Sequence, residues 1–428
     1  MQPIPILPLA LLLALPVQAQ RVRCGTSERM PRLAGAADLP PSDCGYFTNE
    51  PKPEYEPTFF YDIPIVFHVI QSSSGEGFLS TETIQDQIEV LNEDFQALPG
   101  SPGAPGTDGR IRFHLAKTDP EGNPTSGITY TTNDTWYMDS GNYWSPLAWD
   151  TKRYMNVYTN YPPCCYGYVS GFPSEGIAGQ DSDRVVLWWE AVGREPTPGW
   201  PLNMGRTGTH EVGHYLGLYH TFCGGCGSVT NCYSTADLIC DTEREANSTS
   251  GCPSSKSSCG SPDPIHNYMD YTDDPCMWEF TPEQVNRMRC TLEHWRPDLP
   301  VDFAAQENVR VGTPPNPAAL LPGVGSPPVV AGTWDPVVDH STFEPGAVLD
   351  YLAVSLSPTE VPLGGSGTLL CGFPLLALVP NATPGTPFAI PVPNNPSLLG
   401  AAFCAQAASS SSGADFQLTN ALDCVIGN

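Results

Sequence analysis

Three histidines and a glutamate between positions 210 and 220 follow the pattern H-E-x-x-H-x-x-G-x-x-H. Residues four apart lie on one face of a helix, so His210 and His214 can direct ring nitrogens at one metal ion. Gly217 permits a left-handed turn that ends the helix and brings back His220 as a third ligand. Three protein ligands leave the fourth position open for water, as in catalytic zinc sites. The pattern therefore predicts a zinc hydrolase in which Glu211 is the general base.

A methionine further along the chain agrees with this prediction. Residues 267–271 read Asn-Tyr-Met-Asp-Tyr, and the zinc peptidases called metzincins combine the extended histidine pattern with a turn that contains methionine. Met269 would form an apolar floor beneath the metal. Because a single methionine is more often ordinary core, Met269 supports the prediction only in combination with the histidines.

Composition indicates the compartment and excludes some partners. Residues 4–15 are apolar and residues 17–19 offer a small-residue cleavage site, so residues 1–20 are predicted to be a signal peptide. Fifteen cysteines are typical of an oxidising compartment, and their odd number leaves at least one without an intramolecular partner. The net charge of −27 argues against nucleic acid as a partner. No segment is suited to span a membrane, so we expect a secreted, extracellular protein.

The order of elements predicts the domain organisation. Residues 21–58 are rich in proline, glycine and charge, which suits a pro-segment. Strands are predicted near residues 61–70, 111–116, 154–158 and 184–189, and helices near 81–96, from about 205 and from 281. This order indicates an α/β or α+β catalytic domain over residues 59–298. Residues 299–312 are predicted to be a linker, and residues 313–428, with turns between short apolar runs, a β-sandwich-like module.

Beyond the histidine motif, residues 59–297 resemble the pappalysin family of metzincin metallopeptidases, most closely its ulilysin-like secreted bacterial members. The matching positions are residues 63–70, 119–122, 205–207, 218–222, 240–242, 251–253, 269–271, Cys276 and 280–282. The resemblance implies a twisted, mostly parallel sheet with the zinc helix beneath it, and a substrate bound extended along an edge strand. It assigns zinc to the three histidines and the general base to Glu211. It also implies that Tyr271 stabilises the transition state, with a packed core tyrosine as the alternative.

The resemblance also gives expected roles to cysteines. Residues 23–26 resemble the family's cysteine switch, so Cys24 is expected to ligate the zinc in a latent zymogen. A disulfide between Cys24 and Cys44 is the alternative. The resemblance divides the domain into an upper half with the sheet and a smaller, irregular lower half that carries the methionine turn. The two disulfides implied for this lower half are Cys240–Cys259 and Cys252–Cys276. Partners for the other cysteines, including Cys164 and Cys165, stay open.

Structural calcium and a substrate preference are two further expectations from the resemblance. Calcium would lie in the loop after the third histidine, where a solvated acidic loop is the alternative. The oxygen ligands expected there are Asp237, Asp241, Thr242 and Glu243. The family preference is for a basic residue just after the scissile bond, and Asp273 or Asp274 would supply the acidic partner. A buried carboxylate would favour arginine over lysine, because the guanidinium fork matches its two oxygens.

The C-terminal region resembles a small β-module at the ends of many secreted bacterial proteins, through residues 390–400 and 418–422. It implies either a stabilising appendage or cell-surface association. For the whole chain we predict a secreted zinc endopeptidase, made as a latent zymogen, that acts on proteins or peptides. The alternative is a non-catalytic adhesin or binding protein on the same scaffold. Such a relative would usually lose Glu211 or a histidine, and neither is lost here.

Overall fold

The protein is described here by a computed structural model that covers residues 21–27, 44–194, 201–301, 304–323, 325, 327–395, 398–411 and 415–427. The predicted signal peptide, residues 1–20, lies outside the described residues. In the part of the chain that the structure describes, no helix has the length and apolar character needed to cross a membrane. The α-helices are α1 (Thr81–Phe95), α2 (Asp134–Tyr137), α3 (Trp144–Leu147), α4 (Arg206–Tyr215) and α5 (Pro282–His294).

A mixed sheet of seven strands forms the scaffold of the N-terminal part. Its strands are β1 (Val22–Cys24), β2 (Tyr61–Gln71), β3 (Ile111–Leu115), β4 (Ile128–Thr132), β5 (Met155–Asn160), β6 (Cys165–Val169) and β7 (Val185–Trp188). The order is β1-β6-β7-β5-β2-β3, and β4 pairs with the second half of β2. All pairings are parallel except that of β6 with β7. This architecture agrees with the predicted mixed α/β class and its mostly parallel sheet.

The main helices begin where local chemistry favours a helix start. The Ser80 hydroxyl accepts a hydrogen bond from the amide of Thr83 at the start of α1. Thr281 and Gln284 form a reciprocal capping box at α5, with a proline in its first turn. One face of α1 is buried through Ile84, Ile88, Leu91 and Phe95. Helix α1 contacts both β3 and α4, so its burial fixes α4 beneath the sheet.

The predicted pro-segment has two described parts with different attachments. Residues 22–24 form β1, which extends the sheet by pairing with β6. Residues 44–58 pack on α5, where the Arg287 guanidinium donates to the Gly45 carbonyl and the Asn286 amide donates to the Lys52 carbonyl. The disulfide Cys44–Cys290 fixes this second part covalently. The two parts therefore contact different elements of the catalytic domain.

The described C-terminal region consists of strands, turns and short 3-10 segments, and its described residues contain no α-helix. Its strands are β8 (Gln306–Arg310), β9 (Leu320–Leu321), β10 (Thr333–Trp334), β11 (Val337–Val338), β12 (Leu349–Ser355), β13 (Pro358–Pro362), β14 (Thr368–Cys371), β15 (Leu375–Asn381), β16 (Ile390–Pro391), β17 (Ala402–Ser410) and β18 (Gln417–Val425). An antiparallel sheet has the order β15-β12-β17-β18-β8, and the remaining strands form three two-stranded ladders. Trp334, Leu352 and Leu422 share the core between the sheet and these ladders.

One predicted boundary needs correction. Residues 306–310, which were expected to belong to the linker 299–312, form β8 and pair antiparallel with β18. Four of the five residues of this edge strand are polar or charged, and none is buried. An exposed edge strand of this kind lacks the alternation of apolar residues on which strand prediction depends.

The disulfides agree with the sequence prediction in one pair and correct another. Those between described residues are Cys44–Cys290, Cys164–Cys165, Cys226–Cys259, Cys232–Cys240, Cys252–Cys276 and Cys371–Cys404. The implied Cys252–Cys276 pair is bonded. The implied Cys240–Cys259 bond is absent, because a short turn brings the Cα atom of Cys232 within 5.1 Å of that of Cys240, and Cys226 pairs with Cys259. The alternative bond between Cys24 and Cys44 is not formed either, since Cys44 pairs with Cys290.

Candidate metal centre and peptidase site

The three histidines of the motif meet at one point beneath the sheet. His210 and His214 lie on α4, and His220 follows the turn at Gly217, whose φ is +92°. Their Nε2 atoms are 3.1 Å apart in each pairing, and all three residues are buried. Tetrahedral zinc with bonds to nitrogen of about 2.0–2.1 Å would place its ligands roughly 3.3 Å apart. The cluster therefore has a size that suits zinc.

The other ring nitrogens make the histidines suitable ligands. His210 Nδ1 lies 2.6 Å from the Tyr268 carbonyl oxygen, and His214 Nδ1 lies 2.7 Å from that of Leu218. A carbonyl can only accept, so each Nδ1 carries the proton and each Nε2 presents a lone pair to the centre. Burial, and after it the neighbouring His214 and His220, lowers the pKa of His210 well below its usual value. The neutral imidazole is the form that binds metal.

Gly213 and Gly217, both between His210 and His220, are required by their surroundings and by the backbone conformation. A Cβ atom at Gly213 would lie 2.5 Å from the Met269 sulfur, so a larger residue would displace the methionine from beneath α4. Met269 is fully buried, and its amide donates to the Asn267 side chain at 3.0 Å. At Gly217 the positive φ disfavours any side chain. The predicted floor residue therefore packs directly against the histidine helix.

Glu211 lies beside the histidines and under the edge of the sheet. A Cβ atom at Gly167 of β6 would come within 2.8 Å of the Glu211 side chain, so strand and carboxylate are in close contact. The Thr26 hydroxyl donates to Glu211 Oε2 at 3.1 Å and accepts from the Val169 amide at 3.0 Å. Burial raises the pKa of Glu211 to about 8. The carboxyl group is thus held in a dry position next to the cluster.

Cys24 completes a group of four ligand atoms with the histidines. Its sulfur and the histidine nitrogens all lie within 4.8 Å of one another, and in the described ranges this is the only such group of histidine, cysteine and acidic side chains. Burial, and after it the Glu211 carboxylate, raises the pKa of the Cys24 thiol well above its usual value. A bound divalent cation would reverse this effect and favour the thiolate. The Tyr271 hydroxyl donates to the Cys24 carbonyl at 3.3 Å, which puts Tyr271 at the same centre.

The two aspartates near the methionine turn have different surroundings. Asp274 is fully buried, and Arg23 Nη2 lies 2.7 Å from its Oδ1. Arg23 Nη1 also donates to the Thr272 carbonyl at 2.8 Å. The second oxygen of Asp274 accepts from the Arg206 amide at the start of α4, at 3.1 Å. Asp273 is partly exposed. The buried acidic pocket that holds the Arg23 guanidinium is therefore formed by Asp274.

Arg23 and Thr26 are the residues at this site whose roles the sequence analysis missed. Both flank Cys24, and each contacts a predicted site residue that lies more than 180 positions away, as the sequence separations of 251 and 185 show. The sequence signal for Arg23 was its position directly before a predicted zinc-binding cysteine. A basic residue there is a natural partner for the acidic group expected at Asp273 or Asp274.

The residues predicted to bind calcium line one small cavity of about 280 Å³. The buried Asp237 accepts from the Thr242 hydroxyl at 2.7 Å, and burial raises its pKa to about 7. Asp241 accepts from the Glu283 amide at 2.9 Å, so it is engaged at the start of α5. Glu243 lines the same cavity. These carboxylates do not form a compact group of three ligand atoms between described residues, and the calcium site stays a prediction.

Comparison with known proteins assigns this chain to a family. The family model described as pregnancy-associated plasma protein-A matches residues 142–293. An extracellular metalloprotease from Verticillium alfalfae is 37% identical over 239 residues, which cover 53% of this chain and 75% of the relative. The chain belongs to the pappalysin family. As a pappalysin it is a metalloendopeptidase, which confirms the family and the enzyme class predicted from the sequence.

Further relatives agree with this family assignment. An extracellular metalloprotease from Pyricularia oryzae is 37% identical over 241 residues, which cover 54% of this chain and 74% of that relative. A solved structure of a promirolysin mutant from Tannerella forsythia is 34% identical and superposes with a TM-score of 0.50. It covers 57% of this pappalysin and 86% of the promirolysin chain. This similarity supports the mixed α/β fold with its mostly parallel sheet.

Proposed function

We propose that this pappalysin is a secreted zinc endopeptidase in which His210, His214 and His220 hold the metal and Glu211 is the general base. The observation that carries the proposal is the convergence of three buried Nε2 atoms 3.1 Å apart, with the Glu211 carboxyl beside them. Relatives named extracellular metalloproteases support secretion. The complete set of catalytic residues speaks against a non-catalytic binding protein.

The residues of the chain would divide the work of peptide hydrolysis. When bound, zinc would lower the pKa of a water ligand and polarise the scissile carbonyl. Glu211 would take the proton of the attacking water and pass it to the leaving amine. The Tyr271 hydroxyl would donate a hydrogen bond to the oxygen on which negative charge develops. Its present hydrogen bond to the Cys24 carbonyl supports this role, because an oxygen acceptor already lies within its reach.

We propose further that the enzyme is made as a latent zymogen. Strand β1 lies along β6, the edge on which an extended substrate would pair. Cys24 would be the fourth ligand to the metal and would exclude water from that position. Thr26 engages Glu211 through its hydroxyl at 3.1 Å. One short segment thus covers both the metal position and the general base.

The contacts of Arg23 support the expected preference for a basic residue just after the scissile bond. Its guanidinium lies in a buried site formed by the Asp274 carboxylate and the Thr272 carbonyl, and one nitrogen is 3.2 Å from the Met277 sulfur. Arg23 donates to one Asp274 carboxylate oxygen and to the Thr272 carbonyl at once, whereas lysine would offer a single point charge. We propose that Asp274, rather than the partly exposed Asp273, selects arginine in substrates.

Removal of the metal tests the proposed function. We expect phenanthroline to abolish peptide cleavage by the processed enzyme and added Zn²⁺ to restore it, while the non-chelating isomer meta-phenanthroline has no effect. One zinc per chain by elemental analysis would support the assignment. Cleavage that persists after complete loss of zinc would contradict it.

A further inference from the structure

An arginine two residues before Arg23 is held between aromatic rings. The Arg21 Cζ atom lies 3.9 Å from the ring centre of Tyr161 and 4.2 Å from that of Trp188. The Tyr166 ring supports Trp188, with their centres 5.2 Å apart. We call these three aromatic residues the aromatic clamp. Arg21 Nη2 is buried and has no hydrogen-bond partner among the described residues, so the ring faces are the groups that stabilise this nitrogen.

The clamp lies on the same edge of the sheet as the catalytic site. Tyr166 belongs to β6, and Trp188 ends the neighbouring strand β7. Strand β1 runs along this edge with Val22 opposite Cys165 and Cys24 opposite Gly167. Residues 24, 23, 22 and 21 are therefore met in that order on leaving the histidines. Arg23, one residue before Cys24, lies in the Asp274 pocket, and Arg21, three residues before Cys24, lies in the clamp.

We infer that the aromatic clamp is a second cation-binding subsite for substrates, two residues beyond the one that binds to Asp274. The inference rests on the proposed function, because a substrate would take the place of β1 on the edge of β6. It would run in the opposite direction to β1, so that the residues after the scissile bond occupy the positions of Arg23, Val22 and Arg21. If the first residue after the scissile bond lies in the Asp274 pocket, the third lies in the clamp. The favoured substrates are thus peptides with arginine at both positions. The net charge of −27 would attract such basic peptides in addition.

The clamp differs from the Asp274 pocket in the chemistry of recognition. Asp274 is a buried carboxylate that pairs with a guanidinium directly, whereas the clamp offers aromatic faces that attract a cation through their quadrupoles. A neutral residue of the same shape would keep the apolar contact in the clamp and lose the cation–π attraction. Citrulline is such a residue, since a urea replaces the guanidinium.

The test measures kcat/KM of the processed enzyme on three peptides that have arginine directly after the scissile bond. The peptides differ only at the third residue after that bond, which is arginine, citrulline or alanine. We expect the arginine peptide to be cleaved about threefold to tenfold faster than the citrulline peptide. Trp188→Leu keeps an apolar side chain without the aromatic face and should reduce this ratio to about one.

The ratio is taken within each variant, so any loss of folded enzyme cancels. Tyr130→Leu is the matched control, because Tyr130 is an exposed aromatic residue on β4, and it should keep the ratio of the unaltered enzyme. Equal rates for arginine and citrulline in the unaltered enzyme would overturn the inference, as would a ratio that persists in Trp188→Leu. Either result would leave zinc dependence and the requirement for arginine directly after the scissile bond untouched, so it would not count against the proposed function.

Discussion

Both the catalytic domain and the C-terminal module bury polar side chains, but they use them differently. In the module, the Asn316 and Gln406 amides donate to the carbonyls of Thr368 on β14 and Thr419 on β18, two strands of different sheets. Such groups satisfy the backbone where regular pairing is interrupted. At the metal-ligand cluster of the catalytic domain, the Nε2 atoms of the three histidines point toward one another instead. Buried polar atoms that converge on a common point indicate chemistry, whereas those satisfied by nearby backbone indicate architecture.

The largest loss of activity should come from a substitution of Glu211, whose carboxyl lies beside the converging histidine nitrogens. Glu211→Ala should keep the three histidines and their zinc, yet reduce kcat by about 100-fold to 10,000-fold because general-base catalysis is lost. The measurement is peptide hydrolysis together with zinc content. Glu89→Ala, which removes an exposed glutamate on α1, is the control and should have no such effect. Normal turnover by Glu211→Ala would show that Glu211 is not the general base.

A smaller but still large effect, on substrate preference, is expected from a substitution in the acidic pocket. Asp274→Asn keeps an oxygen that can accept the Arg206 amide but removes the charge that pairs with arginine. Because loss of one partner of a buried charged pair costs about 2–5 kcal/mol, the preference for arginine over leucine after the scissile bond should fall at least tenfold. Asp273→Asn is the matched control and should change it little. If both variants keep the preference, the basic residue is bound elsewhere.

The activity of the uncleaved chain tests whether Cys24 belongs to the group of metal ligands. Cys24→Ala should raise the activity of the uncleaved chain about tenfold or more, since the lost thiolate contact is worth at least a charge-assisted hydrogen bond of about 1.5–3 kcal/mol. The gain should be incomplete, because Arg23 and Thr26 still hold the segment. Cys424→Ala, which removes a buried thiol in the C-terminal module, is the control. An equal gain in both variants would show that the thiol has no special role.

The smallest effect, on the free energy of unfolding, is expected from the pair of His340 and Asp350 in the module. Burial alone would lower the pKa of His340, but the Asp350 carboxylate, 3.1 Å away, and the carbonyls of Phe343 and Glu344 raise it above its usual value. The resulting stabilisation is fully present below pH about 6.5 and is lost as pH rises through the raised pKa. His340→Ala should therefore reduce the free energy of unfolding by less than about 1 kcal/mol at about pH 5.5, and by less at about pH 8.5.

Thermal or urea unfolding at the two pH values would measure this difference. His294→Ala, which replaces an exposed histidine on α5, is the comparison and should show no such pH dependence. A destabilisation by His340→Ala that grows toward high pH would contradict the assignment of a charged imidazole. It would show that the contact between His340 and Asp350 does not stabilise the module as a charged pair.

The sequence predicted the parts of the site that depend on local spacing. Helical periodicity is enough to bring His210 and His214 together, and the glycine turn accounts for His220. The contact of Gly213 with Met269 was not predicted, since it joins segments whose approach depends on the whole domain. The disulfide of Cys240 was assigned wrongly for a related reason, because several cysteines lie near one another in the lower half and spacing alone does not choose between them.

The disulfide between Cys44 and Cys290 would restrict where proteolytic activation of the proposed zymogen can take place. A cut after residue 44 would leave the inhibitory strand joined to α5, so it would compete with substrate at the high effective concentration of a tethered ligand. A cut between residues 27 and 44 would instead release that strand by dilution, while residues 44–58 stay on the enzyme. If the proposed latency holds, activation would be the excision of a short N-terminal inhibitor, and a cut on the C-terminal side of Cys44 would yield a nicked chain that still inhibits itself.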